Sequence, residues 1–332
     1  MRIGIVTPAP PNSRSGNRIT ALRWAKILRR LGNRVSILQA YQDERYDLLL
    51  ALHAWRSYPS IIKFRRQNPQ AQIIVALTGT DLYRDLRRNR KAQKSLEIAN
   101  RIVVLQPKAI DELRPAWRDK ARVIYQSVEA LSGPASKTKA NKAYLNKRSN
   151  GSFDVCVIGH LRAVKDPFRV ALAARLLPDS SQVRILQIGS AMSDAMAAQA
   201  RKEMRANARY EWLGELPRLH VRRILAKSRL SVVPSRIEGG ANVVSEAITA
   251  SVPILASRID GNIGILGANY PGLFEVGDTR QLARLLARAE TDREYLAELR
   301  DQCKKLVPLF DPSREEQAWV DLISELFLIE SD

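Results

Sequence analysis

Short, continuously apolar segments alternate with amphipathic stretches along almost the whole chain, and this alternation limits the possible folds more than any other feature. In the first half the apolar segments lie at 3–7, 35–38, 46–52, 73–77, 101–105 and 122–125. Strands that are apolar throughout, instead of at every second residue, are typical of parallel sheets covered by helices on both faces. The first half is therefore predicted to be an α/β domain.

The alternation stops at 131–152, a stretch rich in Ser, Lys, Ala and Asn, and then starts again. A chain of 332 residues is long for one compact domain. We therefore predict an N-terminal domain over 1–130, a basic linker or loop over 131–152 and a second domain over 153–310. The amphipathic stretch 313–330 is expected to form a helix on the first domain, and 258–267 is expected to be a loop.

The formal net charge of +20 indicates anionic ligands such as nucleic acid, an acidic membrane surface or phosphorylated small molecules. No recognition-helix cluster or aromatic platform accompanies the basic residues, so nucleic acid is not expected as a partner. No apolar run reaches the roughly 18–20 residues of a transmembrane segment, and the N-terminus resembles a strand, not a signal peptide. A cytoplasmic protein is predicted.

Cysteine and histidine are scarce, with two and three residues respectively. Cys156 and Cys303 both lie in apolar-periodic segments and are predicted to be free core thiols. Without clustered His or Cys ligands, a structural zinc site is not expected. The sequence therefore predicts no metal and no cofactor.

The stretch 232–252 (VVPSRIEGGANVVSEAITASV) passes from a buried strand through a glycine pair into a helix. A glycine pair lets a ligand approach the backbone, and the first amides of a helix attract an anion. Glu246 lies on this helix, about two turns beyond Glu238, and an acid early in a helix can also simply favour the helix dipole. Glu238 has no comparable structural role, so the stretch predicts a site for a phosphate and for hydroxyl groups.

A second strand end carries cations. Gly159-His160-Leu161-Arg162 follows the segment 153–158, and Lys165 comes three residues later. Arg and Lys together can neutralise a diphosphate, whereas two surface cations at a helix start would oppose the local dipole. In doubly wound sheets ligands bind at the carboxyl ends of the strands, where both groups of residues are expected.

The second half resembles the donor domain of GT-B glycosyltransferases of the retaining E-x7-E class. The matching segments are VIGHLRAVKDP (157–167), YEWLGELPR (210–218), VVPSRIEGGANVVSEAITASVPILAS (232–257) and 260–262. The resemblance implies two facing Rossmann-like domains with a cleft between them and a UDP-sugar donor. It implies that Arg162 and Lys165 hold the diphosphate, Glu246 the ribose and Glu238 the sugar hydroxyls. Glu238, Arg162 and Lys165 are thus the catalytic candidates. The other implied donor contacts are Gly159, His160, Ser235, Gly239, the amides of Gly240, Ala241, Asn242 and Val243, and the backbone near Leu213. His160 departs from the family, which usually has Arg there.

The first half resembles a narrower group, the selenosugar synthases of selenoneine biosynthesis, which join selenophosphate to a UDP-sugar. The matching segments are 7–28, 51–61 and 75–86. The resemblance implies a small anionic acceptor held by Gly16, Asn17, Arg18, His53, Arg56, Thr78, Gly79 and Asp81. The family often has His where this chain has Thr78. A selenium nucleophile is already anionic, so the reaction would not need a histidine there as a base. His53 can also be a core histidine at a strand end.

Two other functions remain open. A lipid or polysaccharide acceptor would make the chain a different glycosyltransferase, and the amphipathic helix near 18–30 allows this. A non-enzymatic protein that binds anions or nucleic acid would bind without turnover and would lose little when Glu246 is replaced.

Overall fold

The computed structural model describes residues 1–13, 15–79, 81–129 and 151–327. The chain divides into two compact units. The first contains Met1–Ser127, Glu238–Asn242 and the described residues from Leu309 onward, and the second contains the described residues of 128–237 and 243–308. Of the linker predicted at 131–152, all but Gly151 and Ser152 lies outside the described residues.

The first unit is built on a six-stranded sheet in which all neighbouring strands are parallel. Its strands are β1 Arg2–Val6, β2 Arg34–Leu38, β3 Leu48–Leu52, β4 Gln72–Leu77, β5 Arg101–Val104 and β6 Ala121–Val123. The spatial order is β2-β1-β3-β4-β5-β6. The chain changes direction across the sheet between β1 and β3, which makes this pair the topological switch point of the unit.

Both faces of this sheet are buried, as the continuously apolar strands predict. Leu48, Leu50 and Leu52 belong to the core on one face, while Leu49 and Ala51 belong to the core on the other. Successive side chains of a strand point to opposite faces, so a strand covered on both sides has to be apolar at every position.

The last described helix, Pro312–Phe327, packs on the first unit. Trp319 on this helix is fully buried and contacts Trp24 of the helix Gly16–Arg30, with ring centroids 5.0 Å apart in an edge-to-face arrangement. Such a pair stabilises by its large buried area and by the favourable orientation of the two rings. Residues 328–330 of the predicted helix lie outside the described residues.

The second unit has its own sheet of six parallel strands. They are β7 Phe153–Ile158, β8 Val183–Ile188, β9 Tyr210–Trp212, β10 Leu230–Val233, β11 Ile254–Ser257 and β12 Leu273–Phe274. The order β12-β11-β10-β7-β8-β9 places the switch point between β7 and β10. The prediction of two α/β domains with parallel sheets is confirmed.

The helices alternate with the strands in both units. Those of the first unit are Gly16–Arg30, Tyr58–Gln67, Arg90–Ile98, Pro115–Arg118 and Pro312–Phe327. Those between β7 and residue 308 are Arg169–Ala174, Asp194–Ala206, Arg218–Lys227, Asn242–Thr249, Asp260–Leu266, Thr279–Thr291 and Arg293–Leu306. None of the helices in the described ranges is long and apolar enough to cross a membrane.

The prediction of a loop over 258–267 is wrong, because Asp260–Leu266 forms a helix. Asp260 is an acid in the first turn, which favours a helix, and Gly267 follows the last turn with a φ of 91°. Two glycines within seven residues hid these signals in the sequence.

Both cysteines are free and buried, which confirms the prediction of core thiols. Burial in apolar surroundings raises the pKa of the Cys156 thiol to about 12 and also raises the pKa of the Cys303 thiol. Since the thiolate is the reactive form, neither side chain is suited to nucleophilic chemistry.

Candidate functional site

The switch point of the second sheet brings together the two motif-bearing strand ends. β10 pairs with β7, with Leu230 beside Val155 and Ser231 beside Cys156. The loop after β7 begins at Gly159 and the loop after β10 begins at Pro234, so both leave the same edge of the sheet. This edge is where an open parallel sheet binds its ligand.

The two cations of the first loop differ in their surroundings. Ala163–Lys165 forms one short 3₁₀ turn, and Lys165 is half-buried, whereas Arg162 is exposed. A Cβ atom at Gly159 would lie 3.7 Å from Lys165 Cδ, so the aliphatic stem of the lysine runs over the glycine. Packing of the stem restricts where the ammonium group can lie, and Lys165 is therefore the better oriented of the two cations.

His160 is held by a residue that the sequence reasoning missed. Its Nδ1 atom lies 2.8 Å from Ser190 Oγ, on the loop that follows β8. Gly189, next to this serine, has a φ of 144°, and a Cβ atom there would lie 2.2 Å from Gly159 O. Only glycine lets the two backbones meet so closely. The signal was available, because I-G-S after β8 repeats the strand-glycine pattern of I-G-H after β7.

A further link joins the loops after β7 and β10. The Arg236 amide donates to Val164 O at 2.8 Å, and its guanidinium Nη2 lies 3.4 Å from Asp166 Oδ2. The same carboxylate oxygen accepts from Arg169 Nε at 3.0 Å. Neither Asp166 nor Arg236 was among the predicted site residues, since they are 70 positions apart and no local pattern joins them.

Glu246 lies in the helix Asn242–Thr249, with only 11% of its side chain exposed. Its carboxylate is 3.4 Å from Arg218 Nη2, on a neighbouring helix of the same unit. Ser235 at the end of β10 is buried, and its carbonyl accepts from Ser257 Oγ. The Leu213 amide donates to Gln187 O, which fixes the backbone proposed to frame a base.

The glycine pair of this region is required by close backbone packing. Glu238–Asn242 belongs to the first unit, where a Cβ atom at Gly239 would lie 2.6 Å from Gly79 N. A Cβ atom at Gly240 would lie 2.7 Å from Leu105 Cβ. Asn242 Oδ1 in turn accepts from Arg23 Nη1 at 3.3 Å. The pair was predicted to admit a ligand, and in this structure the space over its two glycines is taken by Gly79 and Leu105.

The switch point of the first sheet carries several of the predicted acceptor residues. Gly16, Asn17 and Arg18 open the helix Gly16–Arg30, whose N-cap residue Ser15 makes no side-chain capping bond. The helix has no acid in its first turn. Within the described part of the chain, Ser15 Oγ and Arg18 Nε are buried without a hydrogen-bond partner. Polar atoms of this kind at a helix N-terminus suit an anion.

Thr78 and Asn17 connect the loops after β4 and β1, because Thr78 Oγ1 donates to Asn17 Oδ1 at 2.8 Å. Asp81 is fully buried, and its carboxylate accepts the backbone amides of Ala54, Thr78 and Gly79 at 3.0–3.3 Å. Burial raises the pKa of Asp81. The three hydrogen bonds to its carboxylate hold the loops after β3 and β4 in shape. Thr80, between these residues, lies outside the described residues.

His53 ends β3 in the left-handed region, with a φ of 73° and only 4% of its surface exposed. Nδ1 accepts from the Arg56 amide at 3.4 Å, and Nε2 lies 3.7 Å from Asp85 Oδ2. The Arg56 side chain is exposed. Burial lowers the pKa of His53, while Asp81 and Asp85 oppose that shift. The neutral imidazole is therefore the form that the fold favours.

Replacing His53 with Asn is expected to flatten the pH dependence of thermal stability below about pH 6.5. A histidine whose pKa is lowered by folding stabilises the protein above its unfolded pKa and loses this contribution as the pH falls, because the unfolded chain then binds the proton more readily. Asn tolerates the left-handed backbone. Melting temperatures from pH 7.5 to 5.0 test this, and parallel curves for the two proteins would contradict it.

Among the residues that the structure describes, no group of three or more His, Cys, Asp or Glu side chains could hold a metal ion. The strand-end loops carry backbone amides, cations and carboxylates. Together they offer charge neutralisation for phosphate and acceptors for hydroxyl groups.

Comparison with known proteins agrees with this chemistry. A family model described as glycosyl transferases group 1 matches residues 141–306, which is half of the chain. TuaC of Bacillus subtilis, named as a teichuronic acid biosynthesis glycosyltransferase, is 24% identical over 308 residues, covering 90% of this chain and 75% of TuaC. The UDP-Gal:alpha-D-GlcNAc-diphosphoundecaprenol alpha-1,3-galactosyltransferase of Escherichia coli is 30% identical over 209 residues, covering 60% of this chain and 51% of that enzyme.

Solved structures show the same fold. Sucrose-phosphate synthase from Thermosynechococcus elongatus matches with a TM-score of 0.79 and 17% identity over 99% of both chains. Anabaena HepE in complex with UDP-glucose matches with a TM-score of 0.77 and 14% identity, over 98% of this chain and 100% of HepE. The predicted GT-B class is confirmed.

Proposed function

This chain belongs to the glycosyl transferases group 1 family, and we propose that it moves a sugar from a UDP-sugar to a small anionic acceptor, selenophosphate. The proposal of a UDP-sugar donor rests on the switch point of the second sheet. There Lys165 and His160 lie on the loop after β7, and Glu246 lies on the helix that follows β10. The bound UDP-glucose of HepE and the UDP-Gal of the E. coli relative support a uridine nucleotide. Glucose or N-acetylglucosamine is the proposed sugar.

The proposed donor contacts follow the family resemblance. Lys165 and Arg162 neutralise the diphosphate, with the amides of Gly240, Ala241, Asn242 and Val243. Glu246 accepts the ribose hydroxyls, and Glu238 accepts those of the sugar. Gly159, His160, Ser235, Gly239 and the backbone at Leu213 complete the donor site.

The reaction breaks the bond between the anomeric carbon and the diphosphate oxygen, and UDP leaves with the electron pair. Cations and helix amides placed at the departing oxygen stabilise the charge that develops in the transition state. The selenium anion of selenophosphate supplies the electron pair of the new carbon–selenium bond. Later hydrolysis of the phosphate would leave the selenosugar.

The first unit supports a small anionic acceptor through the buried Ser15 Oγ and Arg18 Nε, which have no hydrogen-bond partner in the described ranges. Asn17 and Thr78 lie beside them and offer further polar contacts. Selenophosphate carries several negative charges, which an arginine and free helix amides bind well. Gly16, Gly79, Arg56, His53 and Asp81 complete the proposed acceptor site, the last two as buried supports.

A lipid-linked or polysaccharide acceptor is the second candidate. The observation that favours it is the pair of curated relatives, one named for teichuronic acid biosynthesis and the other for a galactosyl transfer to a diphosphoundecaprenol-linked sugar. Both candidates use the same donor site, so they differ only in the acceptor.

The experiment is to incubate the protein with UDP-GlcNAc or UDP-glucose and selenophosphate, and to follow UDP and the selenosugar by mass spectrometry. We expect both products, and we expect Glu246→Ala to reduce transfer about a hundredfold through loss of its hydrogen bonds to the ribose. Glu298→Ala, which removes an exposed acid of the helix Arg293–Leu306, is the matched control and should behave like the wild type. Turnover with a lipid-linked sugar but not with selenophosphate would reject the first candidate in favour of the second.

A further inference from the structure

Asp166 has an unusual backbone conformation and a carboxylate that contacts two arginines. It ends the 3₁₀ turn Ala163–Lys165 in the left-handed conformation, with a φ of 44° and a ψ of 52°. Among non-glycine residues, Asp and Asn adopt this conformation most readily. Because Asp166 directly follows Lys165, its backbone fixes the direction in which the chain leaves the lysine.

The Asp166 carboxylate then connects three elements. Oδ2 accepts from Arg169 Nε at 3.0 Å and lies 3.4 Å from Arg236 Nη2. Arg169 also donates to Thr279 Oγ1 at 2.6 Å, at the start of the helix Thr279–Thr291. The carboxylate side chain is only 14% exposed, and Arg169 is 16% exposed. The loop after β7 is thus tied on one side to the packed helices of the second unit.

The loop after β7 is also connected to the loop after β10. Arg236 reaches Asp166 with its side chain and Val164 with its backbone amide, so two contacts bind this loop to the 3₁₀ turn. The Arg236 side chain is 51% exposed, and such an ion pair contributes little to overall stability. The Arg236–Asp166 pair therefore affects the relative position of the two loops more than it affects the overall stability.

We infer that Asp166 is a positioning residue for the donor diphosphate, acting with Arg236 to hold Lys165 in place between the loops after β7 and β10. This inference rests on the proposed UDP-sugar donor. Asp166 itself need not contact the nucleotide. It fixes the backbone on which the lysine stands, and a misplaced cation loses its hydrogen bonds to the diphosphate while the remainder of the nucleotide is still bound.

The variant Asp166→Asn keeps the left-handed backbone and removes the charge that both arginines need. Titration calorimetry of the full chain with UDP should show about tenfold weaker binding, the scale of one charge-assisted hydrogen bond. Binding of uridine, which has no phosphate, should stay within about twofold, since the rest of the site is intact. Arg236→Ala should behave like Asp166→Asn, and Arg236→Lys should restore much of the UDP affinity.

The matched control is Arg175→Ala, which removes a pair of similar exposure in the same unit. Arg175 contacts Glu203 at 2.7 Å, with the two side chains 42% and 10% exposed. UDP affinity equal to the wild type in Asp166→Asn and Arg236→Ala would overturn the inference, as would equal losses for UDP and uridine. If the wild type itself binds no UDP and turns over no UDP-sugar, the proposed function fails as well, so the two failures are told apart by the wild-type measurement.

Discussion

Lys165→Ala is expected to lower kcat/KM for the UDP-sugar by about two to three orders of magnitude, the effect of losing one preorganised electrostatic contact in a transition state. The lysine stem is packed over Gly159, which restricts the position of the ammonium group before the substrate arrives. The leaving UDP gains negative charge as the glycosidic bond breaks, so a cation fixed beside the diphosphate stabilises the transition state more than the ground state. Steady-state release of UDP measures the loss.

Two controls make this result specific. Arg162→Ala removes a cation that is exposed and less constrained, so its loss should be smaller than that of Lys165→Ala. Lys227→Ala removes the same charge from the exposed end of the helix Arg218–Lys227, which leads into the opposite end of β10, and should leave kcat/KM unchanged. Wild-type-like turnover by Lys165→Ala would contradict the assignment of this lysine to the leaving group.

The fold and the strand-end motifs could be predicted because their signals are local. Continuously apolar strands such as β3 and β4 show burial on both faces directly in the sequence. The members of each motif lie close together in the sequence, as Gly159 and Lys165 do, or Gly239 and Glu246. Each motif follows the end of one strand, so its place at the edge of a sheet follows from the order of the elements. A motif of this kind needs no long-range information.

Other features depend on pairs that are distant in the chain, and no local pattern shows them. Asp166 and Arg236, or Ser190 and His160, meet only because β7 lies between β8 and β10. His53 and Asp81 were predicted as acceptor contacts, with a core histidine as the alternative for His53, and both are buried in the structure. The Asp81 carboxylate accepts backbone amides of the loops after β3 and β4, a contact that no local pattern shows.

Glu315→Ala is expected to destabilise the first unit by about 3–5 kcal/mol, since it leaves buried donors without an acceptor. Glu315 is 2% exposed on the helix Pro312–Phe327. One carboxylate oxygen accepts from Trp24 Nε1 at 2.9 Å, and the other accepts from the backbone and the side chain of Ser127. The residue thus joins the C-terminal helix to the helix Gly16–Arg30 and to the segment after β6.

The neighbouring Glu316 provides the matched control. It pairs with Arg30 at 3.4 Å, with the two side chains 32% and 44% exposed, and Glu316→Ala should cost less than about 1 kcal/mol. Thermal denaturation should therefore separate the two alanine variants by about 10 °C. Glu315→Gln keeps one acceptor oxygen but turns an amide group toward a donor, so it should fall between Glu315→Ala and the wild type. If Glu315→Ala melts within about 2 °C of Glu316→Ala, the buried carboxylate does not hold these three elements together. The contact between Trp24 and Trp319 would then be what attaches the C-terminal helix.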